Sequence, residues 1–343
     1  MRVGVVGCGI IATRYVEDSV GFDTWRPVAC ADVDPAVADA FAEAHDLRPE
    51  SVEELIADPE VELVLNLTPP TAHAALIRSA LQAGKHVYTE KPLATSVEEG
   101  RALVAEADRL GLRLGCAPDT FLGAAYETAR RLIEAGELGV PLGAAGTMLV
   151  GGADAWHPNA DFFFRAGGGP LLDIAPYYLT AIVSLLGPIE SVAGFTATPT
   201  PERTLEVGPR AGTTVTVEVP THAALVLRLA SGALATLTVS FETRGQYISG
   251  LQVFGTEATL TLPDANGFGG ELTIRRDDRQ PEPVGYDAVS AREVRGIGLD
   301  DLVASLHAGR PHRASGELAL HVLAAAEAVA QSAAERRAID LGG

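Results

Sequence analysis

Residues 4–12 read GVVGCGIIA. A short apolar run over 2–6 feeds a turn in which Gly7, Gly9 and Ala12 stand in G-x-G-x-x-A spacing. In such a strand-to-helix junction the first glycine permits the tight turn and the second lets a pyrophosphate approach the backbone. The small third residue lets helix and strand pack closely, with phosphate charge at the helix N-terminus. Ile10 and Ile11, which open that helix, count with the same site. A second strand ends at Asp32, 20 residues beyond Ala12, where a carboxylate can bond both adenosine ribose hydroxyls and repel a 2′-phosphate. No basic residue follows in ADVDPAVA, so the pattern favours NAD over NADP.

Outward from this motif the first 116 residues alternate apolar runs with helical patterns. Strands are expected at 2–6, 27–31, 61–67, 86–88 and 112–116, with helices at 10–20, 35–46, 51–57, 71–83 and 97–110. Asp34-Pro35 supplies an N-cap and an N1 proline, Ser96 with Glu99 a capping box, and Gly84 and Gly111 helix stops. Such alternation means a parallel, doubly wound sheet. Past residue 118 come a helix at 122–135, a strand at 142–150, an irregular Gly/Pro/aromatic stretch at 151–170 and a helix over about 173–186. From 189 to 276 alternating Val, Thr and Leu between glycine turns predict an antiparallel sheet with one buried face. Residues 277–296 read as a polar loop before two last helices at 299–308 and 315–335.

The expected division is a Rossmann NAD-binding domain over 1–118 and an α+β substrate and oligomerisation domain over 119–298. Helices over 299–343 are expected to pack back on the body. At 343 residues a single ordinary core is too small. The net charge of −19, from 26 basic against 45 acidic residues, argues against nucleic acid or an anionic membrane as partner. No apolar run approaches a membrane span, and MRVGVVGCGI does not read as a signal peptide. Cys8, Cys30 and Cys116 lie in apolar, strand-like runs without CxxC spacing, which suggests buried thiols in a reducing cytoplasm. The eight histidines show no HxxxH or HxH spacing, so no metal is expected, and Gly-x-Ser-x-Gly is absent.

Three further stretches, NLTPPTAHA (66–74), GKHVYTEKPLA (84–94) and GGGPLLDIAPYY (167–178), join the glycine fingerprint. Together they make the chain resemble the Gfo/Idh/MocA family, named for glucose–fructose oxidoreductase, inositol dehydrogenase and a rhizopine-catabolism protein. The resemblance spans nearly the whole chain, and Glu90-Lys91-Pro92 is its most specific motif. It implies a dinucleotide domain followed by an α+β domain whose open sheet commonly forms oligomer interfaces, hence a homodimer or homotetramer. It also implies redox chemistry on a hydroxyl or carbonyl of a sugar, polyol or sugar derivative. Gly7, Gly9, Asp32, Thr68, Pro69, His73 and Glu90 then fall at cofactor positions, and Lys91 at the lysine facing both nicotinamide and substrate. A partly desolvated lysine beside a bound dinucleotide has a lowered pKa and can hydrogen-bond the reacting oxygen.

The family's second catalytic segment usually reads D-x-G-x-H. Here Asp173-Ile174-Ala175-Pro176-Tyr177 puts Tyr177 where the histidine would be. On one helix Asp173 and Tyr177 would share a face. Either Tyr177 is the acid–base group, its pKa near 10 brought down by Lys91 and the nicotinamide cation, or Lys91 moves the proton while Asp173 and Tyr177 orient substrate. Lys91 with Tyr177 assisting is preferred. His157, in the loop Trp156-His157-Pro158, is a third candidate. With Trp156 it would form an aromatic wall for a sugar face, and Asp161 and Arg165 would add polar contacts. In APDTF (117–121), Asp119 and Thr120 replace the arginine or asparagine of many relatives, a change expected to alter the substrate pocket. Two rival functions keep the cofactor. A redox-neutral NAD-dependent glycosidase would hold NAD tightly and cleave glycosides without net NADH. A non-enzymatic NAD-dependent sensor would bind cofactor without turnover and tolerate loss of Lys91.

Overall fold

The structure, a computed structural model, describes residues 1–277, 279–286 and 294–342. The chain divides into two compact units, residues 1–119 with 294–320 and residues 120–293 with 321–343. The C-terminal segment from 299 is therefore shared between them.

The first unit holds six strands: β1 (Arg2–Val6), β2 (Arg26–Ala31), β3 (Arg48–Pro49), β4 (Leu63–Asn66), β5 (His86–Thr89) and β6 (Leu114–Cys116). They form one parallel sheet in the order β3-β2-β1-β4-β5-β6. Five helices, α1 (Ile10–Ser19), α2 (Pro35–His45), α3 (Val52–Ala57), α4 (Pro70–Gln82) and α5 (Val97–Leu110), make the crossovers. β1 and β4, almost wholly buried, are the short apolar runs that only a sheet covered on both faces can house. The caps are local. Asp34 accepts the Ala36 N–H, Ser51 and Glu54 close a full capping box, and Ser96 accepts the Glu99 N–H. β3, two residues long, had no periodicity to announce it, and the expected strand at 61–67 contracts to four residues.

The second unit opens with α6 (Ala124–Glu134) and β7 (Pro141–Leu149), then 3₁₀ turns at Ala153–Ala155 and Ala160–Phe164. The helix expected over 173–186 is two, α7 (Pro170–Asp173) and α8 (Ala175–Leu186). Pro176 has no N–H to continue the ladder, and the Tyr177 N–H bonds to Ile174, three residues back. Asp173 and Tyr177 thus sit on either side of a helix break.

The strands that follow are β8 (Ile189–Ala197), β9 (Glu202–Thr204), β10 (Thr214–Thr216), β11 (His222–Leu229), β12 (Leu234–Ser240), β13 (Ile248–Gly255), β14 (Ala258–Leu262), β15 (Thr273–Arg276) and β16 (Glu282–Pro283). β9 and β10 pair only with each other. The rest form a nine-stranded sheet with β7 and β17 (Ile339–Asp340), in the order β16-β15-β14-β13-β7-β12-β11-β8-β17. It is antiparallel except where β7 and β12 run parallel. In β11, Leu225, Leu227 and Leu229 are buried while Ala224, Val226 and Arg228 are exposed, the alternation of a sheet with one covered face. Helix α8, buried along most of its length, lies against β7 and β12 on that covered face. Of the loop expected at 277–296, β16 takes two residues, and 278 and 287–293 lie outside the described residues.

Two helices, α9 (Ile297–Ala308) and α10 (Gly316–Glu335), complete the fold. Among the described residues no helix is long and apolar enough to cross a membrane.

Candidate active site

In the first unit the predicted cofactor residues gather at the C-terminal ends of the central strands. Gly7 follows β1 with φ +96°, and a side chain there would sit 2.7 Å from the Leu67 carbonyl group. Both facts require glycine. Gly9 differs. Its backbone is extended, and a Cβ would meet nothing within 4 Å. The protein's own packing does not need glycine at position 9, so the open space fits a ligand. Helix α1 starts here without any side-chain cap, leaving its first N–H groups for an anion. Ala12 is fully buried against the sheet.

Asp32 ends β2 beside this turn. One carboxylate oxygen accepts the Cys8 N–H at 2.9 Å, the other the Asp34 N–H at 3.1 Å. Beside it opens a cavity of about 410 Å³ lined by Val33, Pro35, Glu50 and Ser51. Val33 is 95% exposed and Ile10 69%, apolar side chains that a flat ring system would cover. Ile11 is partly exposed beside Ile10. An adenosine with its diphosphate fits these residues.

After β4, the Asn66 side chain accepts from the Thr68 N–H and hydroxyl and donates to Thr89 of β5 at 3.0 Å. Pro69 caps α4. His73 is fully buried, its Nδ1 2.6 Å from the Pro92 carbonyl and its Nε2 2.8 Å from that of Thr68. Burial pushes its pKa down, against the pull of the two carbonyls. Each ring nitrogen faces a carbonyl oxygen, the single N–H of the neutral ring donating to one of them, so His73 packs between the Thr68 turn and the Lys91–Pro92 segment and has no open polar atom for a ligand.

Glu90, expected at the cofactor, likewise spends its carboxylate on the protein. Tyr15 donates to Oε1 at 3.0 Å, the Lys91 N–H to Oε2 at 3.1 Å, and the Arg295 guanidinium lies 3.9 Å away. Lys91 follows, partly exposed, ahead of a cis bond to Pro92. Asp119 corrects another expectation. It is fully buried, accepts the Gly296 and Gly298 N–H groups at 3.2 and 3.0 Å, and its carboxyl is raised by burial. Thr120 donates to the Ala265 carbonyl. Both hold the chain together, and neither is an open pocket residue.

In the second unit Trp156, 64% exposed, and His157 form an aromatic group with Phe162 and Phe163, ring centroids 4.0 to 6.1 Å apart. The Asn159 N–H donates to His157 Nδ1 at 3.1 Å. Burial lowers the pKa of the ring, with the nearby Asp173 charge pulling the other way. With the Nδ1 lone pair taken by a donor, the neutral ring carries its proton on Nε2. His157 can therefore give a hydrogen bond to a substrate oxygen, but it is the wrong tautomer to accept a proton there.

Asp161 pairs with Arg165 at 3.6 Å and closely with Arg210, so these charges serve one another. Asp173 is partly exposed at the helix break, and Tyr177, 7% exposed, lies just beyond it. What sequence reasoning missed are the partners from afar: Tyr15, Arg295 and Arg210, with the buried Arg203, which pairs with Asp154 at 3.3 Å and Glu242 at 2.8 Å. No local pattern marks them, since Arg203 and Asp154 are 49 residues apart.

Both units resemble known proteins. Residues 1–117 match the family model described as an oxidoreductase family with NAD-binding Rossmann fold, and residues 126–261 the GFO/IDH/MocA C-terminal domain. A dTDP-3,4-didehydro-2,6-dideoxy-alpha-D-glucose 3-reductase of Streptomyces violaceoruber is 30% identical over 295 residues, 83% of this chain and 80% of that one. The chain belongs to the Gfo/Idh/MocA oxidoreductases. An inositol 2-dehydrogenase of Rhizobium meliloti is 26% identical over 99% of both chains. In structure, levoglucosan dehydrogenase in complex with NADH and L-sorbose superposes with a TM-score of 0.86 at 24% identity, covering 100% of this chain and 99% of that one. The Rossmann domain and α+β domain expected from the sequence are those of this oxidoreductase family, and NAD is its cofactor.

Proposed function

We propose that this oxidoreductase is an NAD-dependent dehydrogenase acting on a secondary hydroxyl of a sugar, polyol or glycoside. The carrying observation is a convergence at one edge of the parallel sheet. The Gly7–Gly9 turn after β1, Asp32 after β2, Thr68 and Pro69 after β4, and Glu90-Lys91 after β5 all stand at carboxyl ends, on both sides of the point where strand order reverses. That crevice is where doubly wound sheets bind their ligands. The substrate class draws on relatives that act on inositol, levoglucosan and deoxysugar nucleotides by name. All are named dehydrogenases or reductases, which favours net redox turnover over a redox-neutral glycosidase. Asp32 disfavours NADP.

Bound NAD+ supplies the hydride acceptor. Lys91, on a segment pinned through Glu90 and Pro92, takes the hydroxyl proton and stabilises the developing alkoxide. Asp173 and Tyr177 orient the substrate, Tyr177 in the place where the family's histidine usually stands. His157 donates through Nε2, and Trp156 offers a face for a sugar ring.

The test is NADH appearance from NAD+ across free sugars, inositols, polyols and glycosides. Turnover on one class supports the reading, while cofactor binding with silence across the panel defeats it. We place the enzyme in the cytoplasm as a homodimer or homotetramer. Phe195, Val226 and Leu234 stand exposed on the uncovered face of the nine-stranded sheet, an apolar surface suited to a second copy. Light scattering on Val226→Glu tests this: a mass equal to wild type counts against that face.

A further inference from the structure

The second unit contains a cavity of about 470 Å³ that the reading above does not use. It opens where the parallel strands β7 and β12 end, between residues 150–155 and 241–247. That volume lies within the roughly 300–1,000 Å³ of small-molecule pockets. Its lining includes Arg203 and Arg244, Asp154 and Glu206, and the aromatic side chains of Phe241 and Tyr247.

One wall is a built structure. Arg203 is 5% exposed and held by Asp154, by Glu242 and by the Phe241 carbonyl at 3.0 Å, with its guanidinium 5.5 Å from the Phe164 ring. Thr221 and Thr200 donate to Glu242 in turn. Yet the Nε–H of Arg203 has no acceptor among the described residues. A buried, unpartnered guanidinium N–H costs free energy unless water or a ligand oxygen meets it. Arg244, also in the lining, is exposed and has no ion-pair partner among the described residues.

The chemistry of the lining selects a ligand class. The lining carries two guanidinium groups and two carboxylates, and Glu242 behind Arg203 adds a third carboxylate, so the site holds no excess of positive charge that would favour an anion. Abundant donors and acceptors beside two aromatic rings suit a neutral polyhydroxylated ring. The cavity also adjoins the aromatic wall. Ala155 lines it, immediately before Trp156 and His157 in the chain. Phe241 stands 6.3 Å from Phe163, whose ring is 5.2 Å from His157.

We propose that this cavity is a second carbohydrate subsite, so that the preferred substrate carries a neutral sugar ring beyond the one that is oxidised. The proposal rests on the dehydrogenase reading. It separates the glycosides and disaccharides from the free sugars and inositols within that class.

The experiment compares free rings with disaccharides built on them: D-glucose with maltose and cellobiose, and D-galactose with lactose and melibiose. For at least one pair kcat/KM is expected to favour the disaccharide by about tenfold or more, as for one charge-assisted hydrogen bond with added ring contact. Arg244→Ala, an exposed substitution, should bring that ratio down to near one. Free rings as good as disaccharides in every pair, or a ratio that Arg244→Ala leaves intact, would overturn the proposal. If no sugar turns over, the dehydrogenase reading has failed separately. Ligand-detected NMR on the NAD-loaded protein then decides: disaccharide binding weakened by Arg244→Ala upholds the subsite, and no binding removes it.

Discussion

Two glycine-bearing segments do opposite things in this molecule. In residues 4–12, Gly7 is required by the backbone beside it while Gly9 borders open space, and the neighbours that matter are close in sequence or one strand away. In residues 151–173, the glycines interrupt a chain held from outside. Arg203 takes Asp154, Arg210 takes Asp161, the Glu206 N–H bonds to Asp154 and the Glu218 N–H to Phe164. The cofactor recognition proposed through main-chain N–H groups has a short, local signature. The substrate recognition proposed through side chains supported by a distant hairpin has none. The difference is one of range, and it can be broken by substitution.

The largest effect should come from Lys91→Ala. Removing a positioned acid–base group costs about 10²–10⁴-fold in rate. NAD affinity, which the proposal assigns to Gly9 and Asp32, should hardly change. Steady-state kinetics with a parallel cofactor titration check this, and a variant that loses NAD binding along with turnover would take Lys91 out of the proton-transfer role.

The two fingerprint glycines come next, because the structure separates their duties. Gly9→Ala should fold normally, since its Cβ meets no protein atom within 4 Å, yet weaken NAD by roughly tenfold or more by blocking charge-assisted hydrogen bonds worth about 1.5–3 kcal/mol each. Gly7→Ala should instead cost stability, roughly 1–3 kcal/mol for the backbone conformation alone, with the overlap on Leu67 added. Thermal melts with and without NAD distinguish the two. Equal losses of stability would refute the division of labour.

How far the sequence could be read follows the same line. The parallel sheet, its helices and their caps were legible because each rests on contacts a few residues apart. The single helix expected over 173–186 is two, because the missing N–H of Pro176 breaks the ladder although the apolar pattern runs on. Glu90 falls at a cofactor position and the change at Asp119 is expected to alter the substrate pocket, yet each carboxylate is engaged by the protein, Asp119 by Gly296 and Gly298 and Glu90 by Tyr15 and Arg295. A motif reports that a residue type is needed. It does not report whether the need is contact or support, which only the fold decides.

His157 tests the substrate segment with a smaller effect. A neutral donor to one hydroxyl is worth about 0.5–1.5 kcal/mol, so His157→Ala should raise KM up to roughly tenfold, with His157→Gln recovering part through its amide N–H. The pH dependence of kcat should be unmoved in both. Nitrogen-15 shifts of the ring should show Nδ1 unprotonated near neutral pH. Protonated Nδ1 with a bare Nε2, or loss of a pH limb in His157→Gln, would make the ring a base after all.

The mildest probe is acid, and it addresses both units together. Burial lowers the pKa of His73, His86 and His312 in the first unit and of His157 and His321 in the second. A histidine whose folded pKa lies below the ordinary 6.5 binds its proton more readily when unfolded. The unfolded state therefore gains protons first as pH falls, and stability declines from about pH 7 downward through 6.5. Depressed carboxyls at Glu242 and Asp301 add losses of the same sign at lower pH, while the raised carboxyl of Asp119 opposes them. Melting temperature should thus fall steadily between about pH 7.5 and 5.5, the window around the ordinary imidazole value. Three imidazoles with lowered pKa against two predict that any transition raised by NAD, which marks the first unit, falls more steeply than the other. A melting temperature flat across that window would mean that these rings titrate alike in folded and unfolded chains, and that their burial exerts no hold on stability.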